Sequence, residues 1–132
     1  MVAALSLMLA LSSALASPPG VTQAAEVVTK AAPPGTATVR LLAHGEAAFL
    51  GELTLAPDAK VPVHRDPTEE IIYVVRGGGT MTMNGESFPL VAGDSVVMPA
   101  NAEVSFANGS EESVFIQVFA GPGPASKYEA WK

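Results

Sequence analysis

The chain has 132 residues, with thirteen acidic against seven basic side chains and a net charge of −6; such a surface repels phosphate backbones, and no basic patch or aromatic platform marks a nucleic-acid binder. With no cysteine, it is neither a disulfide scaffold nor a lipid-anchored lipoprotein, and it has no thiolate for zinc or for nucleophilic attack. Apolar residues at 48% and charged residues at 15% exclude a disordered chain and give one domain enough apolar surface to fold unaided.

Residues 1–16, M-V-A-A-L-S-L-M-L-A-L-S-S-A-L-A, carry no charge and end in Ala14-Leu15-Ala16, the small-x-small pattern that precedes signal-peptidase cleavage. The expectation is a signal peptide over 1–16 and an exported protein, periplasmic or extracellular. The basic n-region of a usual signal is missing, since the first Lys or Arg is Lys30. Val2 to Ala16 falls short of the ~20 apolar residues that cross a bilayer, so no membrane span is expected after cleavage. Residues 17–36 are rich in Pro, Ala and Gly at both ends and read as a linker, with a strand near Val27 to Thr29.

From Ala37 the pattern changes. Strand-sized runs rich in β-branched or aromatic residues recur about every ten residues, which predicts an all-β barrel or sandwich over 37–120. The runs are 38–42, 48–55, 61–64, 70–76, 80–83, 88–91, 95–98, 103–106 and 114–119. Asn84-Gly85, Gly93-Asp94 and Asn108-Gly109 are turn signals between them. Residues 121–132 form a C-terminal tail for which Trp131 is the expected anchor.

Between the third and fourth runs lies H-R-D-P-T-E-E, residues 64–70. Side chains at i and i+2 on a strand share a face, so His64 and Asp66 can point to one side. The Pro67-Thr68 corner then returns the chain, and Glu70 suits the same side if its strand continues inward at Ile72 and Val74. One imidazole with two carboxylates makes an oxygen-rich facial set suited to a hard or borderline divalent metal. The same residues also suit a plain polar cluster in which the carboxylates favour the imidazolium. The residues alone leave both readings open.

The order His64-x-Asp66-x3-Glu70-x6-Gly77 resembles the first motif of the cupin family, usually H-x-H, three or four residues, E, six residues, G. The second cupin motif, G-x5-P-x-G-x2-H-x3-N, is matched in register by Gly93, Pro99 and Asn108. The resemblance spans about Ala37 to Phe119 and implies a cupin-type double-stranded β-helix, a jelly-roll barrel of two antiparallel sheets. It also implies a homodimer, since many cupins pair by sharing strands.

In metal-binding cupins the ligands are both motif-one histidines, the glutamate and the motif-two histidine; here these positions hold His64, Asp66, Glu70 and Val104. Two are kept, one is changed and one is lost, so the resemblance implies a weakened or absent site for Mn, Fe, Zn or Ni, with His64, Asp66 and Glu70 as the candidate ligands. Asn101 replaces the motif-two glycine, which Asn tolerates because it visits left-handed backbone conformations readily. Val104, Gln117, Met81, Met83, Tyr73 and Phe106 are the expected pocket lining, with Met98 a further apolar candidate. His44, the other histidine, is a turn residue or a replacement ligand.

No nucleophile elbow, phosphate loop or Ser/His/Asp order is present. The function expected is an exported protein that binds a small molecule in its barrel. The alternative is a metal-dependent oxygenase, isomerase or lyase built on one histidine and two carboxylates.

Overall fold

The computed structural model describes residues 20–132 apart from Pro122 and Pro124, so the expected signal peptide lies outside the described residues. Ten strands follow in order: β1 Val28–Ala31, β2 Ala37–His44, β3 Ala48–Leu55, β4 Lys60–Arg65, β5 Glu70–Arg76, β6 Gly78–Met83, β7 Glu86–Val91, β8 Ser95–Met98, β9 Glu103–Asn108 and β10 Ser113–Ala120. Each of the nine barrel runs read from the sequence is a strand. Within 17–36 the described part carries β1, which pairs antiparallel with β2. Among the described residues no helix is long and apolar enough to cross a membrane.

The strands form a six-stranded sheet in the order β1-β2-β3-β10-β5-β8 and a four-stranded sheet in the order β4-β9-β6-β7. Both are antiparallel throughout. Strand prolines, which cannot donate to a ladder, belong at sheet edges. Pro62 lies in β4 and Pro89 in β7, the two edges of the smaller sheet.

Alternation decides what each strand buries. On β5, Glu70, Ile72 and Val74 point inward while Ile71, Tyr73 and Val75 are exposed. On β10, Phe115, Gln117 and Phe119 share the inner face. The main core joins both sheets: Leu55, Ile72, Val74 and Phe115 meet Met81, Leu90, Val104 and Phe106. The Phe106 and Phe115 rings cross edge to face, with centroids 5.4 Å apart. Each such side chain removed from water stabilises the fold by about 1.5–3 kcal/mol.

A second cluster, Val39, Phe49, Phe119 and Tyr128, fixes the tail to the larger sheet, with Trp131 packed against it. Tyr128 is the buried anchor, and the Trp131 ring stands edge-on to it at 5.0 Å. Lys132 and Ala31 exchange backbone hydrogen bonds, which ties the tail to β1.

The turn chemistry is specific. Asn84 and Gly85 both take positive φ, 50° and 83°, as a two-residue hairpin between β6 and β7 requires. Asn101 also takes the left-handed conformation, φ 63°. Its N–H donates to the Asp66 carbonyl at 2.7 Å, joining the corner after β4 to the turn before β9.

At Asn108-Gly109, read from the sequence as a turn signal, neither residue has positive φ. Asn108 acts through its side chain. Its amide donates to the carbonyls of Leu55, Ala56 and Glu111, while its Oδ1 accepts from Ser113 Oγ at 2.5 Å. Ser113 Oγ in turn accepts from the N–H of Gly78. A buried amide thus ties the β3–β4 and β9–β10 connections to the adjoining ends of β3 and β10.

Candidate functional site

The two sheets enclose a cavity of about 510 Å³, within the range of small-molecule sites. Apolar side chains of both sheets make most of its wall, among them Leu53, Ile72, Met81, Met98, Val104 and Phe115. Thr36, Lys60, Arg65 and Ser105 also line it, and a further group of polar side chains forms a cluster at one corner. His64 and Asp66 reach it from the end of β4, Glu70 from the start of β5 and Gln117 from mid-β10, while Lys127, Tyr128 and Trp131 come from the tail.

Two hydrogen-bonded chains organise this corner. In the first, His64 Nδ1 lies 2.8 Å from the Pro62 carbonyl, and Nε2 lies 3.3 Å from Asp66 Oδ2. Both ring nitrogens face oxygen acceptors, so only the doubly protonated ring satisfies both. The hydrogen bond to Asp66 accordingly raises the imidazole above its ordinary value of 6.5, against an opposing effect of burial. Burial works to raise the Asp66 carboxyl, but the His64 hydrogen bond and the charge and hydrogen bond of Lys127 outweigh it and hold the group below its ordinary value. Lys127 Nζ donates to the same Asp66 Oδ2 at 3.0 Å and lies 4.8 Å from the centre of the Phe119 ring.

The second chain is fully buried. Tyr128 Oη donates to Gln117 Oε1 at 2.6 Å, and Gln117 Nε2 donates to Glu70 Oε1 at 2.8 Å. Glu70 is 3% exposed. Burial pushes its carboxyl up from 4.5 to about 7, with the positive charge of Lys127 opposing that rise. Burial also pushes the Tyr128 phenol up, so it stays a donor.

His64, Asp66 and Glu70 therefore all face one cavity, as strand parity predicted, with both imidazole nitrogens and one oxygen of each carboxylate already hydrogen-bonded or ion-paired. Both His64 nitrogens have acceptors, Asp66 Oδ2 serves two donors and Glu70 Oε1 accepts from Gln117. Among the described residues, no three His, Cys, Asp or Glu side chains are grouped to hold a metal ion. In this arrangement the cation hydrogen-bonded to Asp66 is the Lys127 ammonium. Val104, which pairs across the sheet with His64, adds only an aliphatic wall where a fourth ligand would stand.

Of the expected lining, Val104, Gln117, Met81 and Phe106 face the cavity. Tyr73 does not. It is 48% exposed on the outer face of β5, because alternation that turns Glu70, Ile72 and Val74 inward must turn residue 73 outward. Met83 packs on the margin of the core rather than on the cavity wall. His44 is exposed and meets the Phe49 ring edge-on, away from the site.

Sequence reasoning missed Lys127 and Tyr128. The one available signal was the aromatic pair Tyr128 and Trp131, spaced three apart as in a single helical turn; residues 126–128 form that 3₁₀ turn.

Residues 51–119 match the family model described as Cupin domain. A curated relative named polyketide synthase CurC, from Streptomyces cyaneus, is 34% identical over 67 residues, which are 49% of this chain and 44% of that protein. The chain thus spans less than half the length of that relative. Among solved structures, KdgF from Halomonas sp. superposes with a TM-score of 0.74 at 19% identity, covering 83% of this chain and 99% of that one. An RmlC-like cupin from Shewanella frigidimarina gives 0.72 at 17% identity, covering 84% and 97%. The polyketide cyclase RemF from Streptomyces resistomycificus gives 0.67 at 20% identity, covering 78% and 80%. At these identities the structural likeness is one of fold, and the fold is the expected jelly roll of two antiparallel sheets.

Proposed function

The chain belongs to the cupin family, and on that footing we propose that its barrel binds a small, mostly apolar molecule whose polar end meets the corner formed by Glu70, Gln117 and Lys127. The observation that carries this reading is the cavity of about 510 Å³, walled mostly by aliphatic and aromatic side chains, with a hydrogen-bonded polar cluster at one corner. Such a division suits a ligand with an apolar body and few, fixed polar contacts. The names of two similar proteins, a polyketide synthase and a polyketide cyclase, agree with an apolar ligand that carries oxygen functions.

Titration with 2-ethylnaphthalene tests it, read by the fluorescence of Trp131, the chain's single tryptophan and a cavity residue. Wild-type protein is expected to bind saturably, and Val104→Phe, which fills the cavity, is expected to lose binding while staying folded. A folded wild type that binds neither this probe nor other apolar aromatics rejects the reading.

A second reading, turnover within the same pocket, is favoured by one observation. The Glu70 carboxyl faces the cavity and is pushed up to about 7, where an acid exchanges a proton most usefully near neutral pH. Glu70→Gln should then abolish conversion of a bound substrate while leaving its binding intact.

Export is part of the proposal, supported by the uncharged segment ending in Ala14-Leu15-Ala16. N-terminal sequencing of protein recovered from the periplasm of a bacterial host should begin at Ser17; an intact Met1 in cytoplasmic protein refutes it.

A further inference from the structure

We propose that Lys127 selects and orients the ligand: its ammonium, anchored on Asp66 at the polar corner of the barrel, donates to the carbonyl or enol oxygen of an otherwise apolar molecule. There it supplies the positive charge that a bound cation would otherwise bring to His64, Asp66 and Glu70. The inference rests on the ligand-binding reading above and names the chemistry of the ligand's polar end.

Three observations carry it. The first is which groups are free to donate. Thr36, Lys60, Arg65 and Ser105 also line the cavity; beside Glu70, Tyr128 Oη is spent on Gln117, and Gln117 Nε2 gives one of its two protons to Glu70. The His64 nitrogens face Pro62 and Asp66. Lys127 has three ammonium protons; its one hydrogen bond goes to Asp66 Oδ2, and it lines the cavity.

The second observation is that Lys127 is fixed. Its neighbour Tyr128 is buried among Phe49 and Phe119, and the Tyr128 carbonyl accepts from Lys30 Nζ at 3.2 Å. The ammonium itself lies against the Phe119 ring, 4.8 Å from its centre, a contact that favours a cation. A donor held from both sides loses little freedom on meeting a ligand.

The third is charge balance. Asp66 Oδ2 meets both Lys127 Nζ at 3.0 Å and His64 Nε2 at 3.3 Å, so the corner holds its own counter-charge and requires none of the ligand. A neutral carbonyl or enol oxygen still gains a charge-assisted hydrogen bond from the ammonium.

The test compares 2-acetylnaphthalene with 2-ethylnaphthalene, which differ at the carbonyl oxygen, on wild type, Lys127→Met and Lys127→Arg. Wild type should prefer the ketone by about tenfold or more, the worth of one charge-assisted hydrogen bond. Lys127→Met should lose that preference and bind the two probes equally, with circular dichroism and a cooperative urea transition showing that it is folded. Lys127→Arg should restore part of the preference.

A second arm titrates Mn²⁺ into wild type and Lys127→Ala. Losing the ammonium leaves His64, Asp66 and Glu70 without their cation, so the variant should bind Mn²⁺ at least tenfold more tightly. Unchanged ketone preference in Lys127→Met, or Mn²⁺ binding to wild type as tight as to Lys127→Ala, overturns the inference. If wild type binds neither naphthalene, the ligand-binding reading falls, and the Mn²⁺ arm still decides whether Lys127 serves as the built-in cation.

Discussion

Replacing Glu70 with Gln should make the protein more stable, and increasingly so as pH rises. In the folded chain the Glu70 carboxyl is raised from 4.5 to about 7, chiefly by burial. Between those two values the native state keeps a proton that the unfolded chain has already lost. Unfolding then releases a proton, so the free energy of unfolding falls as pH rises through this window. At ~1.4 kcal/mol per pH unit, the loss accumulates to about 3 kcal/mol by pH 8. A glutamine carries no such proton, and its Oε1 can still accept the Gln117 Nε2 hydrogen bond that Glu70 Oε1 accepts.

Urea denaturation at pH 4, 5, 6, 7 and 8, followed through Trp131, measures the effect. Wild type and Glu70→Gln should differ by a constant amount near pH 4 and diverge by about 3 kcal/mol between pH 5 and 8, the variant being the more stable at the upper end. The other titrating groups are common to both proteins. His64, raised in the native state, adds stability that is full below 6.5 and lost as pH climbs through its native value. Asp66, lowered, adds stability above 3.8 that is lost as pH falls through its native value. Curves that stay parallel from pH 5 to 8 would refute the claim that burial raises the Glu70 carboxyl.

Asn108→Ala removes the amide that serves three carbonyls and the Ser113 hydroxyl; leaving buried acceptors unpaired should cost about 2–4 kcal/mol in urea denaturation, without altering pocket binding measured on folded protein. Tyr128→Phe keeps the aromatic cluster but orphans Gln117 Oε1, so it should lose about 1–3 kcal/mol, whereas Tyr128→Ala should lose about 3–5 kcal/mol in the same assay. Val104→His places a second imidazole across the ladder from His64 and should raise Ni²⁺ affinity by calorimetry, with a larger gain when combined with Lys127→Ala.

The strands of the barrel were legible because their determinants are local. Period-two burial shows on β5 and β10, and Asn84-Gly85 can only be read as a tight turn. The convergence of His64, Asp66 and Glu70 was legible for the same reason, since parity along one strand and across one corner fixes it. Tyr73 was misassigned by a breach of that rule: a residue between Ile72 and Val74 cannot share their face. Asn108 was legible as a motif residue but not as a clamp, because its partner Ala56 follows β3, 52 positions away in the sequence. Lys127 could not be found at all. Its partner Asp66 is 61 positions away, and nothing in a Ser-Lys-Tyr turn says which carboxylate it will meet.

That last failure bears on how likeness within the family should be used. The matched segment, residues 51–119, contains His64, Asp66, Glu70 and Gln117 but neither Lys127 nor Tyr128, and it omits the β1–β2 connection that contributes Ala32, Pro34 and Thr36 to the cavity wall. Barrel residues bring the carboxylates together; the tail decides whether those carboxylates face a lysine or solvent. A relative with the same barrel and a different tail would present the same acceptors with a different charge beside them, and would therefore select a different ligand. Fold and function separate here at a definable place, the contact between Asp66 and Lys127, and a chain sharing both residues is the one from which a ligand could reasonably be carried over.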